Sequence, residues 1–551
     1  MSVHPTSVPL GGWLGQGTPP VKGASALKDQ IFQLHHPIYL LEQHDGQYAT
    51  ASYGVAMLGN GQSSTEAYPL LGYAPACALK NLGDPEFCAD YGLEYPYLAG
   101  SMAHGITSVA IVEEMGKHGM LGFFGAAGMS VAAIENAIDR ISTTLGSRPY
   151  GCNLIHSPHE PELEAALVAL YLRRGVKLVE ASAFLGLTLP VVRYRVHGIH
   201  RNPSGQIVTP NRIIAKVSRI EIATYFFSPP PERFLRQLAA NGEITPEQAE
   251  LASQIPMAQD LTAEADSGGH TDNRPAITLF PTMCALRDRM QQQYGYAQPL
   301  RVGAAGGIAT PASAAAAFAM GAAYVLTGSV NQACVESGSS DIARQMLAEA
   351  EQADVIMAPA ADMFEMGVKV QVLKRGTMFA MRGAKLYDFY RKYGAIEQIP
   401  RTEREMLEEK FFKNSLENVW QQTHDYFQER APSQIERAQS DPKHKMALIF
   451  RSYLGQASHW ANRGEPDRKL DYQIWCGPAM GAFNEWVKGS FLEDPKRRQV
   501  VTVALNILYG AGIVQRLNLL RMQGIQLPPE FWQIAPFSQD ELEQRMQQLQ
   551  H

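Results

Sequence analysis

The sequence predicts an α/β fold, namely a (β/α)8 TIM barrel with a helical insertion, a small N-terminal module and a C-terminal α-helical domain. From about residue 95 onward, short apolar runs alternate with amphipathic stretches of about 10 to 15 residues, which is typical of repeated βα units around a parallel sheet. The apolar runs end in Gly, Ser, Asn or His, and a βα barrel carries its chemistry on the loops that follow its strands. Both observations favour a closed barrel over an open sheet.

The barrel is predicted to span residues 91–375 and to use eight or nine strands. Two candidate strands, VKLVEASAF and VVRYRVHG, follow each other closely. The segment at about 228–258 starts at a triple proline and then has helical spacing, which predicts a helical insertion near the barrel mouth, a usual position for a substrate lid. The candidate strand runs are residues 95–105, 120–128, 150–157, 176–184, 191–198, 212–218, 260–270, 300–307 and 322–329.

Different patterns flank the barrel. Residues 1–90 contain short apolar runs separated by His-Asp-Gly and Gly-Asn-Gly turn signals, which predict a small β-rich or irregular N-terminal module. After the barrel the pattern becomes helical and charged, so residues 376–551 are expected to form a C-terminal α-helical domain.

Composition excludes several classes of protein. The 48 Lys and Arg against 54 Asp and Glu give a formal charge of −6, which provides no global positive field for nucleic acid. The six cysteines form no CxxC pair, and the N-terminus has neither a basic start nor an apolar run, so a cytoplasmic protein is expected. Val302–Val335 lacks charged side chains, but its Gly-Gly and Thr-Pro breaks predict a buried βαβ unit, and no membrane span is expected.

The segment Glu264–His270, EADSGGH, is the most informative motif. Two glycines after a strand let the backbone approach an anion closely, and Ser267 can donate a further hydrogen bond. His270 then lies at the rim of the barrel, where it can move a proton near neutral pH. The alternative is a tight βα turn with a surface histidine.

Two further glycine-rich turns occur one βα unit apart. VGAAGGI at 302–308 and TGS at 327–329 each lead into a helix, and barrel enzymes bind phosphate through backbone amides after their last two strands. The alternative is that the glycine pair only allows close packing. The motifs GxGxxG, GxxxxGK[ST], HExxH and GxSxG are absent, which argues against a Rossmann dehydrogenase, a P-loop NTPase, a zincin or an α/β-hydrolase. No metal site is expected.

The motifs LAGSMAHG, YGCNLIHSP, IIAKVS, EADSGGHTDNRP and VGAAGGIATPASAAAAFAMGAAYVLTGS together resemble a known family. They are similar to the FMN-dependent barrel family of nitronate monooxygenases and bacterial enoyl-acyl-carrier-protein reductases. The chain most resembles the PfaD-type enoyl reductases of polyunsaturated fatty acid and polyketide synthases. The resemblance covers nearly the full length, including the WCGPAMGAFNEWVKGSFL stretch.

The resemblance implies an FMN site with two catalytic residues. His270 corresponds to the family's active-site histidine, and Lys216 would face the N1/O2 edge, where a cation stabilises the anionic reduced flavin. Asn153 would hydrogen-bond the pyrimidine edge. Nitronate monooxygenases usually have Gln in place of Lys216, which favours the reductases. The residues that would lie against the flavin ring are Gly100, Ser101 and Met102. The residues that would surround the ribityl phosphate are Ser267, Gly268, Gly269, Gly306, Gly307, Gly328 and Ser329.

The function implied by the resemblance is a trans-acting enoyl reductase. NADPH or NADH would reduce the FMN, and the substrate would be a 2-enoyl thioester on an acyl carrier protein, with fatty acid or polyketide synthase components as partners. His270 would either protonate Cα or polarise the thioester carbonyl. A flavin oxygenase or oxidase of the nitronate type and a non-catalytic assembly subunit remain alternatives, and a homodimer is an open arrangement.

Overall fold

A computed structural model describes residues 9–17, 19–43, 47–59, 67–158 and 161–550. Its centre is a closed barrel of eight parallel strands that pair in chain order, and the last strand pairs with the first through Val325 and Tyr97. The predicted TIM barrel is therefore confirmed. The strands are β1 Tyr97–Ala99, β2 Leu121–Phe124, β3 Gly151–Ile155, β4 Leu178–Ser182, β5 Arg212–Val217, β6 Asp260–Glu264, β7 Arg301–Ala305 and β8 Val325–Thr327.

Several of the crossover helices begin at residues whose side chains cap them. Ser108 accepts a hydrogen bond from the amide of Ile111, and Thr310 forms a capping box with Ser313. Such caps satisfy amides that have no partner within the helix. The helices that accompany the strands are Pro85–Tyr91, Val109–Lys117, Val131–Leu145, Pro161–Arg173, Leu189–Val196, Ile220–Phe227, Ala276–Tyr294, Pro311–Ala319, Ser329–Gln332 and Asp341–Ala348.

One predicted strand is wrong. The run VVRYRVHG, residues 191–198, lies in the helix Leu189–Val196, which Thr188 caps and in whose first turn Pro190 lies. β4 and β5 are parallel neighbours, so the chain between them must cross back over the barrel. The β-branched residues of this run are buried on that crossover helix, and the fold overrides their preference for strands.

The insertion forms two helices, Glu232–Ala240 and Pro246–Ala252, but the predicted position near the mouth is wrong. It follows the helix after β5, which has already returned the chain to the end of the barrel where strands begin. There Gln248 donates a hydrogen bond of 3.3 Å to the carbonyl of Ile199, and Arg195 donates one of 3.1 Å to that of Pro256. The insertion therefore contacts loops opposite the mouth and does not form a lid. A two-strand hairpin, His200–Arg201 with Ile207–Val208, precedes β5 in the chain.

The described residues of the N-terminal module form an antiparallel six-stranded sheet, as the β-rich interpretation expects. Its small core surrounds Trp13, which is fully buried with Leu41 and Leu70. Its helices are Ala24–Phe32 and the short 3₁₀ turn Leu79–Asn81. Its strands, in sheet order, are Val21–Lys22, Tyr48–Ala51, Ile38–Glu42, Tyr68–Ala74, Gly11–Leu14 and Val55–Leu58.

After the barrel, the strand Lys369–Leu373 pairs with Gly269–His270 on one side and with Val355–Pro359 on the other, which makes a three-stranded antiparallel sheet. The helices beyond residue 376 divide among three hydrophobic clusters. Most of those up to about residue 457 surround one separate cluster, Pro432–Ser440 packs in a smaller one with Phe427 and Leu448, and the later helices join the barrel core. These helices and short turns are Phe379–Lys392, Ile396–Gln398, Arg401–Met406, Leu407–Phe412, Leu416–Arg430, Pro432–Ser440, Pro442–Arg463, Pro466–Asp471, Ala479–Val487, Phe491–Glu493, Pro495–Arg497, Val500–Met522, Pro529–Phe531 and Gln539–Gln550.

The helix Val500–Met522 joins the barrel to the N-terminal module. Gln515 donates a hydrogen bond of 2.9 Å to the carbonyl of Ala315 on a barrel helix, and Arg516 donates one of 2.9 Å to the carbonyl of Pro75. Within the described residues this is the one helix long and apolar enough to cross a membrane, and 78% of its apolar window is buried inside the structure. Packing between two parts of the protein accounts for its composition.

Candidate cofactor and active site

Two adjoining cavities open at the ends of the barrel strands, with volumes of about 670 Å³ and 80 Å³. Every residue predicted for the site lines at least one of them. Asn153, Gly269 and His270 line the large cavity, and the small one is lined by Gly100 and the glycine-rich turns. The residues that line both are Ser101, Met102, Lys216, Glu264, Gly268 and Trp475.

The small cavity has the properties of an anion cradle. Gly306 and Gly307 both have a φ of +79°, and a Cβ on Gly307 would meet no atom within 4 Å, so its backbone faces open space. In the described part of the chain, the amides of Gly307, Gly328 and Ser329 donate no hydrogen bond to the protein. Converging unpaired amides bind phosphate groups, so these turns fit the phosphate of a flavin mononucleotide.

The WCGP turn after Tyr472 closes this cradle from the C-terminal side. Gly477 donates a backbone hydrogen bond of 3.2 Å to the hydroxyl of Ser329. A Cβ on Gly268 would lie 2.8 Å from the amide nitrogen of Cys476, so only glycine fits at this contact. Both glycine-rich loops are therefore held by a segment about 150 to 200 residues further along the chain.

Lys216 at the end of β5 is held between two carboxylates. Its Nζ lies 3.5 Å from Oε2 of Glu180 and 3.6 Å from Oε1 of Glu264. Burial alone would lower the pKa of Lys216, but the two carboxylates outweigh burial and raise it, so the side chain stays charged. Burial raises the pKa of Glu264, although Lys216 opposes that shift. The positively charged side chain that was predicted at position 216 therefore forms ion pairs with two carboxylates.

Glu180 also organises the loop after β1. Its Oε2 accepts a hydrogen bond of 3.1 Å from the amide of Ser101 and another from the Ser101 hydroxyl. Its Oε1 is buried and has no partner among the described residues. Asn153 donates to the carbonyl of Glu180 and to the hydroxyl of Ser182, at 3.3 and 3.0 Å. These bonds use its amide hydrogens and leave the side-chain oxygen as the group that can accept from a ligand N–H.

His270 faces the large cavity from the strand Gly269–His270, whose pairing with Lys369–Leu373 fixes its position. Its Nε2 lies 3.2 Å from Oδ1 and from Oδ2 of Asp362. Burial lowers the pKa of His270, but Asp362 outweighs burial and the pKa is raised overall. Conversely, His270 offsets the effect of burial on Asp362 and lowers the pKa of that carboxyl. The imidazole is therefore stabilised in its protonated form and can donate a proton.

The C-terminal helices form the roof of the large cavity. Val419 and Phe427 come from the helix Leu416–Arg430, and Arg451 and His459 come from Pro442–Arg463. None of the residues 228–258 lines either cavity. A cover over the mouth thus exists, but it comes from a later part of the chain than the predicted lid.

Sequence reasoning missed several residues of the site. Glu180 interrupts an otherwise apolar strand, which is a usable signal for a buried charged group. Glu264 lies within the EADSGGH motif, but the motif pattern assigns it no role. Asp362 follows His270 by 92 residues, and His104 and Trp475 lie several hundred residues apart in the chain. No local pattern could have brought these last three together.

The fold and the cavities define the class of this molecule: a (β/α)8-barrel protein with two adjoining cavities at its mouth, lined by glycine-rich turns after its last two strands, a paired lysine and a histidine. The family model for nitronate monooxygenase matches residues 87–387, over half of the chain. The chain belongs to this family of oxidoreductases. A second model, the inserted helical domain of [acyl-carrier-protein] S-malonyltransferase, matches residues 393–472, which include the helices of the roof.

The chain is similar to components of large synthases. A polyunsaturated fatty acid synthase component of Thraustochytrium sp. is 47% identical over 502 residues, which cover 90% of this chain and 33% of that protein. The polyketide biosynthesis protein PksE of Bacillus subtilis is 46% identical over 450 residues, covering 82% of this chain and 58% of PksE. The chain thus spans about a third of the first relative and less than two thirds of the second.

A solved structure also matches the chain. The enoyl reductase domain of MlnA, from the macrolactin biosynthesis cluster of Bacillus amyloliquefaciens, matches with a TM-score of 0.76 and 39% identity. The match covers 80% of this chain and 100% of that domain. The resemblance to the enoyl reductases of polyunsaturated fatty acid and polyketide synthases is therefore confirmed.

Proposed function

We propose that this protein is an FMN-dependent enoyl reductase that uses NADPH or NADH to reduce the 2,3-double bond of an enoyl thioester on an acyl carrier protein. The observation that carries the proposal is the arrangement of three groups around joined cavities. The small cavity offers unpaired amides, Lys216 lies between the cavities, and His270 faces the large one. The 39% identity to an enoyl reductase domain over its whole length supports the same reaction.

Bound FMN would supply the hydride chemistry, accepting a hydride from the nicotinamide and passing it to Cβ of the substrate. The chain's own residues hold and orient the reactants. Gly306, Gly307, Gly328 and Ser329 bind the phosphate through their amides. Lys216 provides positive charge at the junction of the cavities, and Glu180 and Glu264 fix its position.

His270 acts on the substrate from the large cavity. Asp362 stabilises its imidazolium, which either donates the proton from a ring nitrogen to Cα or hydrogen-bonds the thioester carbonyl while negative charge develops on its oxygen. The helical roof excludes water from this reaction and covers an acyl chain with apolar side chains such as Val419 and Phe427. Carrier-protein docking, synthase partners, a homodimer and a cytoplasmic location remain predictions.

The test is anaerobic stopped-flow absorbance at 450 nm, a band that also reports bound flavin. The protein reduced with NADPH is mixed with crotonyl thioester or with oxygenated buffer. The proposal expects rapid reoxidation by the thioester. Reoxidation by oxygen alone would favour the nitronate-type oxygenase that gives the family its name, and a protein that binds no flavin would favour an assembly subunit. A His270→Ala variant that keeps FMN and full activity would refute the role of that residue.

A further inference from the structure

One arginine in the roof of the large cavity pairs with no acidic side chain of the described chain. Arg430 ends the helix Leu416–Arg430 and lines the cavity. Its guanidinium lies 5.0 Å from the centroid of the Tyr426 ring, and its Nη1 donates a hydrogen bond of 2.5 Å to the Tyr426 hydroxyl. By contrast, Arg451 in the same lining pairs with Glu365 at 3.3 Å. Among the described residues no carboxylate lies within 4.0 Å of the Arg430 guanidinium, so its charge is available to a ligand.

Two histidines line the same cavity as Arg430. The ring centroids of His104 and His459 are 4.4 Å apart, and His104 stacks on Trp475 with an angle of 3° between the ring planes. Nδ1 of His104 is buried and unpartnered within the part of the chain that the structure describes. Burial, reinforced by His459 and Arg430, lowers the pKa of His104 to about 4. Burial also lowers the pKa of His459. Each ring is thus neutral at pH 7 and offers one N–H donor.

The position of His104 is maintained at a conformational cost. Its backbone φ is +57°, a value that residues other than glycine rarely adopt. A Cβ on Gly128 would lie 2.3 Å from Cε1 of His104, so this ring also requires glycine opposite it. Strained residues of this kind collect at functional sites. Asp362, the carboxylate whose charge reaches His104, is already paired with His270.

We propose that Arg430, His104 and His459 form a binding site for a phosphate ester in the roof of the large cavity. The guanidinium fork matches the geometry of phosphate oxygens, and each neutral imidazole can add one N–H donor to the same anion. This inference rests on the proposed function, because both of its substrates carry phosphate: the 4′-phosphopantetheine arm of the carrier protein and the nicotinamide dinucleotide. The site would fix one of these beneath the helical roof while the reactive end lies near Lys216 and His270.

The test is calorimetric titration of the FMN-loaded protein and its Arg430→Gln variant. The ligands form matched pairs that differ by one phosphate: crotonyl-4′-phosphopantetheine with crotonyl-pantetheine, and NADP⁺ with NAD⁺, which carry the phosphates of the hydride donors but do not reduce the flavin. Arg430→Gln should weaken binding of a phosphate-bearing ligand about tenfold to a hundredfold, as expected for loss of hydrogen bonds from a charged donor. Loss for the phosphorylated pantetheine alone assigns the site to the carrier arm, and loss for NADP⁺ or for both dinucleotides assigns it to the hydride donor.

Arg437→Gln is the matched control, because Arg437 lies on the next helix, is 61% exposed, pairs with Asp441 at 3.4 Å and does not line the cavity. Arg430→Lys keeps the charge and tests whether the fork is needed, and the melting temperature of each variant reports folding. The inference is overturned if folded Arg430→Gln binds every ligand like the parent, or if Arg437→Gln has the same effect. Binding without enoyl reduction would refute the proposed function and leave the phosphate site standing.

Discussion

The phosphate cradle can be tested with a pair of glycine substitutions that cause the same strain in the protein. Gly307 has a φ of +79° and Gly321, in the loop before β8, a φ of +95°, and at neither would a Cβ meet an atom within 4 Å. Alanine at either position therefore costs only the left-handed backbone conformation, about 1–2 kcal/mol. The two substitutions differ in one respect, since Gly307 lines the small cavity and Gly321 does not.

Gly307→Ala places a methyl group where the phosphate would approach and takes away at least one hydrogen bond from an amide to a charged oxygen. Such a bond contributes about 1.5–3 kcal/mol, so the Kd for FMN should rise about tenfold to a hundredfold. Gly321→Ala should leave the Kd unchanged. Quenching of flavin fluorescence measures the Kd, and thermal denaturation of the flavin-free proteins should show similar losses of stability.

The matched pair makes the outcome decisive. If Gly307→Ala lowers stability as Gly321→Ala does but binds FMN as tightly as the parent, the phosphate does not lie against Gly307 and the cradle is assigned wrongly. If both substitutions weaken FMN binding equally, backbone strain and not the cradle controls affinity.

Three further predictions follow from the site and the roof. Lys216→Met leaves the buried Glu180 carboxylate without its ammonium partner and should lower the free energy of unfolding by about 3–5 kcal/mol. Urea denaturation should show that the double variant Lys216→Met/Glu180→Gln regains part of this free energy. Equal stabilities of the single and the double variant would contradict the pairing. Asp362 outweighs burial and raises the pKa of His270, so a rate that needs the imidazolium falls as pH rises through that raised pKa. In Asp362→Asn this fall should move to lower pH, both in the kcat/KM profile and in an NMR titration of His270. An unshifted profile would exclude His270 as the proton donor. Leu238→Ala, at a fully buried position of the insertion, should lower the free energy of unfolding by about 2–5 kcal/mol without changing KM. Phe427→Ala in the roof should instead raise KM for long acyl thioesters. A changed KM in Leu238→Ala would show that the insertion acts as a lid after all.

Much of the barrel could be predicted because the sequence signals for each strand, turn and helix lie within a short stretch of the chain. Each βα unit carries its own apolar strand, its own turn and its own helix, so the units are visible one at a time. The turns at 267–269 and 328–329 combine glycine with serine and the turn at 306–307 is a glycine pair, each a local pattern that suits an anion site. Parallel strands end on the same side of a barrel, so three separate local patterns were enough to predict one cradle.

The wrong predictions concerned segments whose meaning depends on what surrounds them. Residues 191–198 have the β-branched side chains of a strand, but they fill the crossover between β4 and β5 as a helix. The insertion at 228–258 has the helical spacing that was expected, and its place in the chain, after a crossover helix, puts it opposite the mouth. Spacing predicts an element, but the end of the barrel at which it lies depends on the path of the chain.

The sequence by itself predicted the barrel, the glycine-rich turns and His270 at the barrel rim, because strands, turns and motif residues are encoded within a few positions of one another. The role of Lys216 came only from the resemblance to a known family. Only the tertiary structure decided the electrostatic state of these groups. Lys216 is paired with Glu180 and Glu264, and His270 with Asp362, through contacts between different strands and loops. The structure also decided that the helices after residue 376 cover the cavity. The energy of a charge depends on its neighbours in space and on their burial, and neither is encoded in the short stretch around the residue itself.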